Sequence, residues 1–208
     1  SSAAYDTPTR GDWAWHTFIH EIGHAVGLKH GHETSGNGAM TTAHDSMEFT
    51  VMTYRSYAGA PSDFYRNETF GYAQTLMMYD IAALQHMYGA NYATNAGDTV
   101  YRWSETTGEM FVNNVGEGAP GSNRVFLTIW DGGGNDTYNL SNYANAVTID
   151  LRPGEWTTTS PVQFANLGDG RFARGNVANA LLFNGDTRSL IENAIGGSGN
   201  DTLFGNAA

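Results

Sequence analysis

The chain has 208 residues, enough for one domain or two small ones, and for a buried core without staples. Its 21 acidic residues against 10 basic ones give a formal charge of -11, which argues against nucleic acid or an anionic membrane surface as a partner; Lys29 is the single lysine. Cysteine is absent, which removes disulfides and thiolate metal sites, and no run reaches the roughly 18 apolar residues of a membrane span.

The opening, "SSAAYDTPTR", lacks the basic and apolar regions of a secretory signal. The first predicted element follows it, a helix with Asp12 as N-cap and Gly27 as its stop, on which Trp15, Ile19, Ile22 and Val26 form one face. Its segment "HEIGH" sets His20 and His24 four residues apart, one turn above the other, with Glu21 adjoining them. On a straight helix His30 would lie about 15 Å along the axis from His20. Imidazole nitrogens sharing one zinc ion, each at about 2.0–2.1 Å, must instead lie within roughly 4 Å of one another. The helix therefore has to end and the chain turn back, and Gly27 allows a left-handed turn without a Cβ penalty. Scattered polar-face histidines are the bland alternative, but this composition yields HExxH with Gly at +7 and His at +10 by chance on the order of once in twenty thousand chains. His16, His32, His44 and His86 are read as surface or loop side chains, His32 being the one to watch because it follows His30 by two.

Residues 30–63 are loop by composition. A second helix is predicted over about 71–88, with Met77, Ile81, Leu84 and Tyr88 as its stripe and Gly89 as its C-terminal signal. After about Tyr92 the texture changes to short β-like runs, "DTVYRW", "RVFLTIW", "DTYNL", "AVTIDL", "NALLF" and "DTLFG", separated by turns rich in Gly, Asn and Asp. The fold class is therefore α+β, in two units, 1–90 and 91–208. Acidic turns such as "DGGGND" and "GSGND" suit hard divalent cations, which take oxygen ligands on turning backbone, so calcium is expected. Residues 196–204 fit the calcium nonapeptide GGxGxDxUx, and 131–136 form a loop of the same kind.

The motif HExxHxxGxxH, as His20, Glu21, His24, Gly27 and His30, resembles the metzincin clan of zinc endopeptidases. "TVMTY" resembles that clan's Met-turn, with Met52 as the floor under the metal. Tyr54 resembles a tyrosine of serralysin-type and astacin-type members, and "MMYDIAALQHMYGANYATNAGDTVY" is similar to the serralysin-type passage from the last catalytic helix into a calcium-binding β domain. Gly31 departs from the Pro common at that position.

The resemblance implies a metzincin C-terminal catalytic subdomain, with zinc-site helix, Met-turn and second helix, followed by an all-β calcium-binding β-sandwich or β-roll. It implies Zn2+ on His20, His24 and His30, with Tyr54 as a further ligand while substrate is absent. Glu21 is then the general base for peptide-bond hydrolysis, and Tyr54 bonds the developing oxyanion. Ca2+ is implied between Asn95, Gly97, Thr99 and Asp131, Gly133, Asp136; a second ion on Gly134, Asp136 and Glu192; and a further half-site at Gly197, Gly199 and Asp201. Where the family often has Thr, Leu190 would have to serve through its carbonyl. Protein or peptide substrates and a secreted, extracellular bacterial setting are implied as well.

In metzincins a sheet ahead of the zinc helix forms the upper wall of the cleft, and the residues before Trp13 are too few to supply it. A trimmed protease accompanied by its upstream fragment is expected on that ground. The competing reading is a calcium-folded binding or secretion module with no protease activity.

Overall fold

The computed structural model describes residues 5–208; the first four residues of the expected 1–90 unit lie outside them. Helix α1 runs over Trp13–Ala25, and Asp12 caps it through a 2.7 Å bond from the Trp15 amide, as predicted. It ends in a paired reversal. Leu28 N–H bonds Gly23 O at 2.9 Å and Gly27 N–H bonds His24 O at 3.0 Å, with Gly27 at φ +97. The buried face of α1 differs from the expected apolar stripe. Ala14, His16, His20 and Gly23 point inward, while Ile22 is 57% exposed and Val26 lies near the surface. The helix is rotated so that its histidines meet the buried segment around Val51 and Met52. Gly23 makes that approach possible, since a Cβ there would lie 2.5 Å from Met52 Sδ.

Helix α2 covers Met78–Tyr88 and stops at Gly89, φ +84, as expected, but it starts later than predicted. Residues 72–77 are not helical because their polar groups are taken by distant partners. Tyr72 N–H bonds Gly11 O, Gln74 N–H bonds Phe126 O, and Thr75 Oγ1 accepts from Thr128 N–H. The 30–63 stretch is irregular, as composition indicated, yet much of it is core. Met47, Phe49, Val51 and Met52 pack with Met77 and Met78, and with Phe126, Trp156, Leu167 and Ala178 from beyond residue 90.

That second half contains twelve short strands: β1 Val100–Trp103, β2 Met110–Val112, β3 Val115–Gly116, β4 Leu127–Ile129, β5 Thr137–Asn139, β6 Thr148–Asp150, β7 Trp156–Thr157, β8 Asn166–Gly168, β9 Arg171–Phe172, β10 Val177–Asn179, β11 Asn193–Ile195 and β12 Thr202–Phe204. The chain winds in parallel steps. Val100 pairs with Thr137 and Thr137 with Asn193, so β1, β5 and β11 stack; β4 stacks on β10 and β6 on β12 in the same sense. A second cluster, including Tyr101, Trp103, Tyr138, Leu140 and Ile149, fills the space between these layers. Five of the six predicted runs hold a strand; "NALLF" does not, beyond its first residue. Only Asn179 ends β10, after which a 3-10 turn at Phe183–Gly185 with Asn184 at φ 53 turns the chain away. The architecture is mixed α+β.

Candidate metal centre

The reversal after Gly27 brings His30 back to α1. One ligand atom from each of His20, His24 and His30 lies within 4.8 Å of the others, and this is the one cluster of three His, Asp or Glu side chains with such reach among the described residues. Each ring is oriented from behind. His20 Nδ1 lies 2.8 Å from Val51 O, His24 Nδ1 3.0 Å from Leu28 O, and His30 Nδ1 2.6 Å from Glu33 Oε1. All three partners only accept, so every Nδ1 carries the proton and every Nε2 presents a lone pair to the centre. His24 Nε2 and His30 Nε2 then face each other at 3.0 Å with no proton to share. Two such lone pairs at that distance repel one another unless a cation lies against them or, at His30, the Tyr54 hydroxyl proton does. Burial also holds the His20 imidazole below its ordinary pKa, favouring the neutral state that a metal ligand requires.

Tyr54 Oη stands 2.8 Å from His30 Nε2 and donates to it, at the open side of the cluster. Glu21 follows His20 along α1 with its carboxylate exposed. Met52 is 2% exposed and lies with its sulfur against Gly23, the residue before His24. A cavity of about 460 Å³ lined by Trp13, Tyr54, Phe64, Tyr65 and Tyr72 opens beside Tyr54.

His16 is not the surface side chain that its isolation suggested. It is 1% exposed, with Nε2 3.2 Å from Tyr65 Oη, and burial followed by the neighbouring His20 pushes its pKa down to about 3. The spacing 16, 20, 24 carried that signal, because a residue one turn before His20 follows it inward. His32 is exposed and stacks on His30, with ring centroids 5.3 Å apart, outside the ligand cluster.

Sequence reasoning missed the groups that hold the ligands. Asp80, in the first turn of α2, accepts from Val51 N–H at 2.8 Å, Met77 N–H at 2.9 Å and Thr50 Oγ1 at 2.5 Å. It thereby fixes the segment whose Val51 carbonyl orients His20. Complete burial pushes the Asp80 carboxyl up to about 6, against the pull of these three hydrogen bonds. Glu33 and the backbone carbonyls of Leu28 and Val51 were likewise missed; carbonyl partners leave no trace in side-chain identity.

The acidic loops of the second half also converge. Asp136 Oδ1 accepts from Thr99 N–H at 2.8 Å, and Thr99 Oγ1 donates to Asn95 O at 3.1 Å and Gly97 O at 2.7 Å. Asp131 accepts from Gly133 N–H at 2.7 Å and from Tyr101 Oη at 2.6 Å, while Glu192 accepts from Asp136 N–H at 2.6 Å. Gly134 lies close against Gly97, where a Cβ would come 2.6 Å from Gly97 O. Asp136 Oδ2 is buried without a partner. Burial, then the adjoining Asp131 and Glu192 carboxylates, push the Asp136 carboxyl up to about 7. Excess negative charge beside exposed carbonyl oxygens fits a hard divalent cation. Gly197, Gly199 and Asp201 go elsewhere: Asp201 accepts from Val147 N–H at 3.0 Å, and the two glycines lie against Tyr143 and Ala146.

Fold and centre together have the arrangement of a metallopeptidase class, a helix-borne HExxH motif followed by β structure. Residues 90–208 match the family described as Peptidase M10 serralysin C terminal, and residues 1–72 match that described as metallo-peptidase family M12B reprolysin-like. The first match covers more than half of the chain, which belongs to the serralysin family. It is similar to Metalloprotease AprA of Pseudomonas entomophila, 37% identical over 207 residues, covering 97% of this chain and 38% of the relative. Serralysin B of Dickeya chrysanthemi is 38% identical over 204 residues, covering 95% and 37%. Serralysin of Proteus mirabilis is 34% identical over 212 residues, covering 99% and 38%. The chain thus spans about two fifths of the length of these relatives.

Proposed function

We propose that this chain carries the metal centre of a zinc endopeptidase that hydrolyses peptide bonds in protein substrates, with Nε2 of His20, His24 and His30 as ligands and Tyr54 Oη beside them while substrate is absent. The carrying observation is the set of three imidazoles whose Nδ1 protons are all engaged from behind, leaving three lone pairs that converge. Zinc held there would supply Lewis acidity, polarising the scissile carbonyl and making the attacking water more acidic. The Glu21 carboxylate takes a proton from the attacking water and returns it to the leaving amine. Tyr54 donates its phenolic hydrogen to the substrate carbonyl oxygen as charge develops on it, the Tyr54–His30 bond having been given up. The relatives named metalloprotease and serralysin support the same reading.

In this proposal residues 1–90 form the zinc-binding part, and 91–208 form a calcium-binding unit of β-roll type. The converging loops at Asn95, Gly97, Thr99, Asp131, Gly133, Gly134, Asp136 and Glu192 would hold Ca2+, and Gly197, Gly199 and Asp201 one half of a further site. A secreted protease acting outside the cell is the setting that membership of the serralysin family implies. No helix among the described residues is long and apolar enough to cross a membrane.

The test is cleavage of casein or a quenched peptide, with and without chelator. Glu21→Ala is expected to leave one zinc bound per chain while lowering the rate by about 10²–10⁴. Undiminished cleavage by Glu21→Ala overturns the assignment. Calcium-dependent folding with no cleavage by the parent chain would favour a binding module instead.

A further inference from the structure

We infer that Glu33 is a positioning residue for the metal centre: its carboxylate holds His30 in the tautomer and ring orientation that ligation needs, and Lys29 holds Glu33. The inference rests on the zinc reading above. His20 and His24 stand on a helix, which fixes their separation, and their Nδ1 protons go to backbone carbonyls. His30 lies beyond the helix end and has neither support. Its Nδ1 proton goes instead to a side-chain carboxylate, at 2.6 Å, the shortest of the three contacts. A carboxylate behind a ligating imidazole fixes the proton on Nδ1 and makes Nε2 the stronger donor.

The reach of Glu33 is itself constrained. Its backbone N–H bonds His30 O at 3.2 Å. Its carbonyl accepts from Lys29 Nζ at 2.8 Å, and the same ammonium bonds Ser35 O at 2.5 Å and Gly38 O at 2.7 Å. The chain's only lysine thus spends all three N–H groups on carbonyls of one loop. That loop passes through left-handed backbone at Gly36, φ +62, and Gly38, φ +85, and has no regular hydrogen-bond ladder of its own. The ammonium gathers its carbonyls much as a bound cation would, and this holds Glu33 against His30.

The experiment measures the zinc dissociation constant by competition with a chromophoric chelator, and the absorption spectrum of the cobalt-substituted protein, for parent, Glu33→Ala, Glu33→Gln and Lys29→Met. Glu33→Ala is expected to bind zinc about 10- to 100-fold more weakly and to shift the cobalt bands. Glu33→Gln should recover part of that loss, because an amide oxygen still accepts the Nδ1 proton without the charge. Lys29→Met should weaken binding in the same direction as Glu33→Ala, by a smaller factor. If the parent binds zinc and Glu33→Ala binds it within about threefold of parent with an unchanged cobalt spectrum, the positioning role is wrong while the centre stands. A parent that binds no zinc overturns the centre and this role together. If Glu33→Ala does not fold, Glu33→Gln decides: parent-like affinity and spectrum overturn the role of the carboxylate, and a loss without misfolding supports it.

Discussion

At the scale of single residues, the centre depends on one glycine that the sequence marked and several partners that it did not. Gly27 was readable because the spacing of three histidines demanded a reversal, and the structure places it at φ +97. The nearest atoms a Cβ there would meet are Tyr88 Oη at 3.5 Å, Met87 Sδ at 3.6 Å and Met87 Cε at 3.8 Å, which are ordinary contacts, so the penalty of Gly27→Ala is conformational rather than steric. We expect it to cost about 1–2 kcal/mol in urea unfolding and to weaken zinc binding, because relief of the strain moves His30 away from α1. Stability and zinc affinity equal to the parent would show that the reversal tolerates a side chain. Asp80 was not readable, since its partner, the Val51 amide, becomes a neighbour only after the chain has folded; Glu33 stands three residues past His30, but in a loop that spacing does not fix which way either side chain points. The His16 error has a related root: its spacing to His20 was visible, but the direction of the helix face was inferred from apolar residues, and here the face bearing His16, His20 and Gly23 packs inward against Tyr65, Val51 and Met52.

At the scale of elements, α1 was predicted to within a residue or so because cap, histidine spacing and stop all agreed. The start of α2 was missed because residues 72–77 have helix-compatible composition while Gly11, Phe126 and Thr128 claim their polar groups. The β2–β3 hairpin carried an unread signal, Asn113–Asn114, both at positive φ, the two-residue turn that Asn favours. The element whose energetics are most open to test is the α2 N-terminus. Asp80 has a folded pKa of about 6 against 3.8 for the free side chain, so between those values the folded state binds more protons than the unfolded state. Its contribution to stability is therefore intact below about pH 4 and is lost as pH rises to about 6, opposite to the usual salt-bridged carboxylate. Asp80→Asn keeps an oxygen for the Val51 and Met77 amides and can donate to Thr50, and it does not titrate. Relative to parent, the variant should gain about 3 kcal/mol between pH 4 and pH 7. A stability difference that stays constant over that range would show that Asp80 remains ionised at no cost.

At the scale of the whole molecule, residues before and after position 90 share a core: Phe126, Trp156, Leu167 and Ala178 pack in one cluster with Met47, Phe49, Met52 and Met77. The acidic loops adjoin the second cluster, and chain-adjacent Phe126 and Leu127 belong one to each cluster, so events in those loops should be felt at the histidines. Asp136 lies buried beside Asp131 and Glu192 with its carboxyl pushed up to about 7, so each rise in pH toward that value adds a charge the interior disfavours. Calcium would take the place of that proton. Its apparent affinity should then strengthen by up to about tenfold per pH unit below 7 and level off above it, and saturation at 100 times Kd should stabilise the fold by about 2.7 kcal/mol. Thermal unfolding with calcium and with EGTA, at pH 6 and pH 8, tests both points, with tryptophan fluorescence and the cobalt spectrum of the histidine centre followed together. One transition that moves as a unit, with the larger calcium shift at pH 8, is expected. Were calcium to raise only the fluorescence transition while the cobalt bands melt at the same temperature as before, the shared core would be contact without coupling.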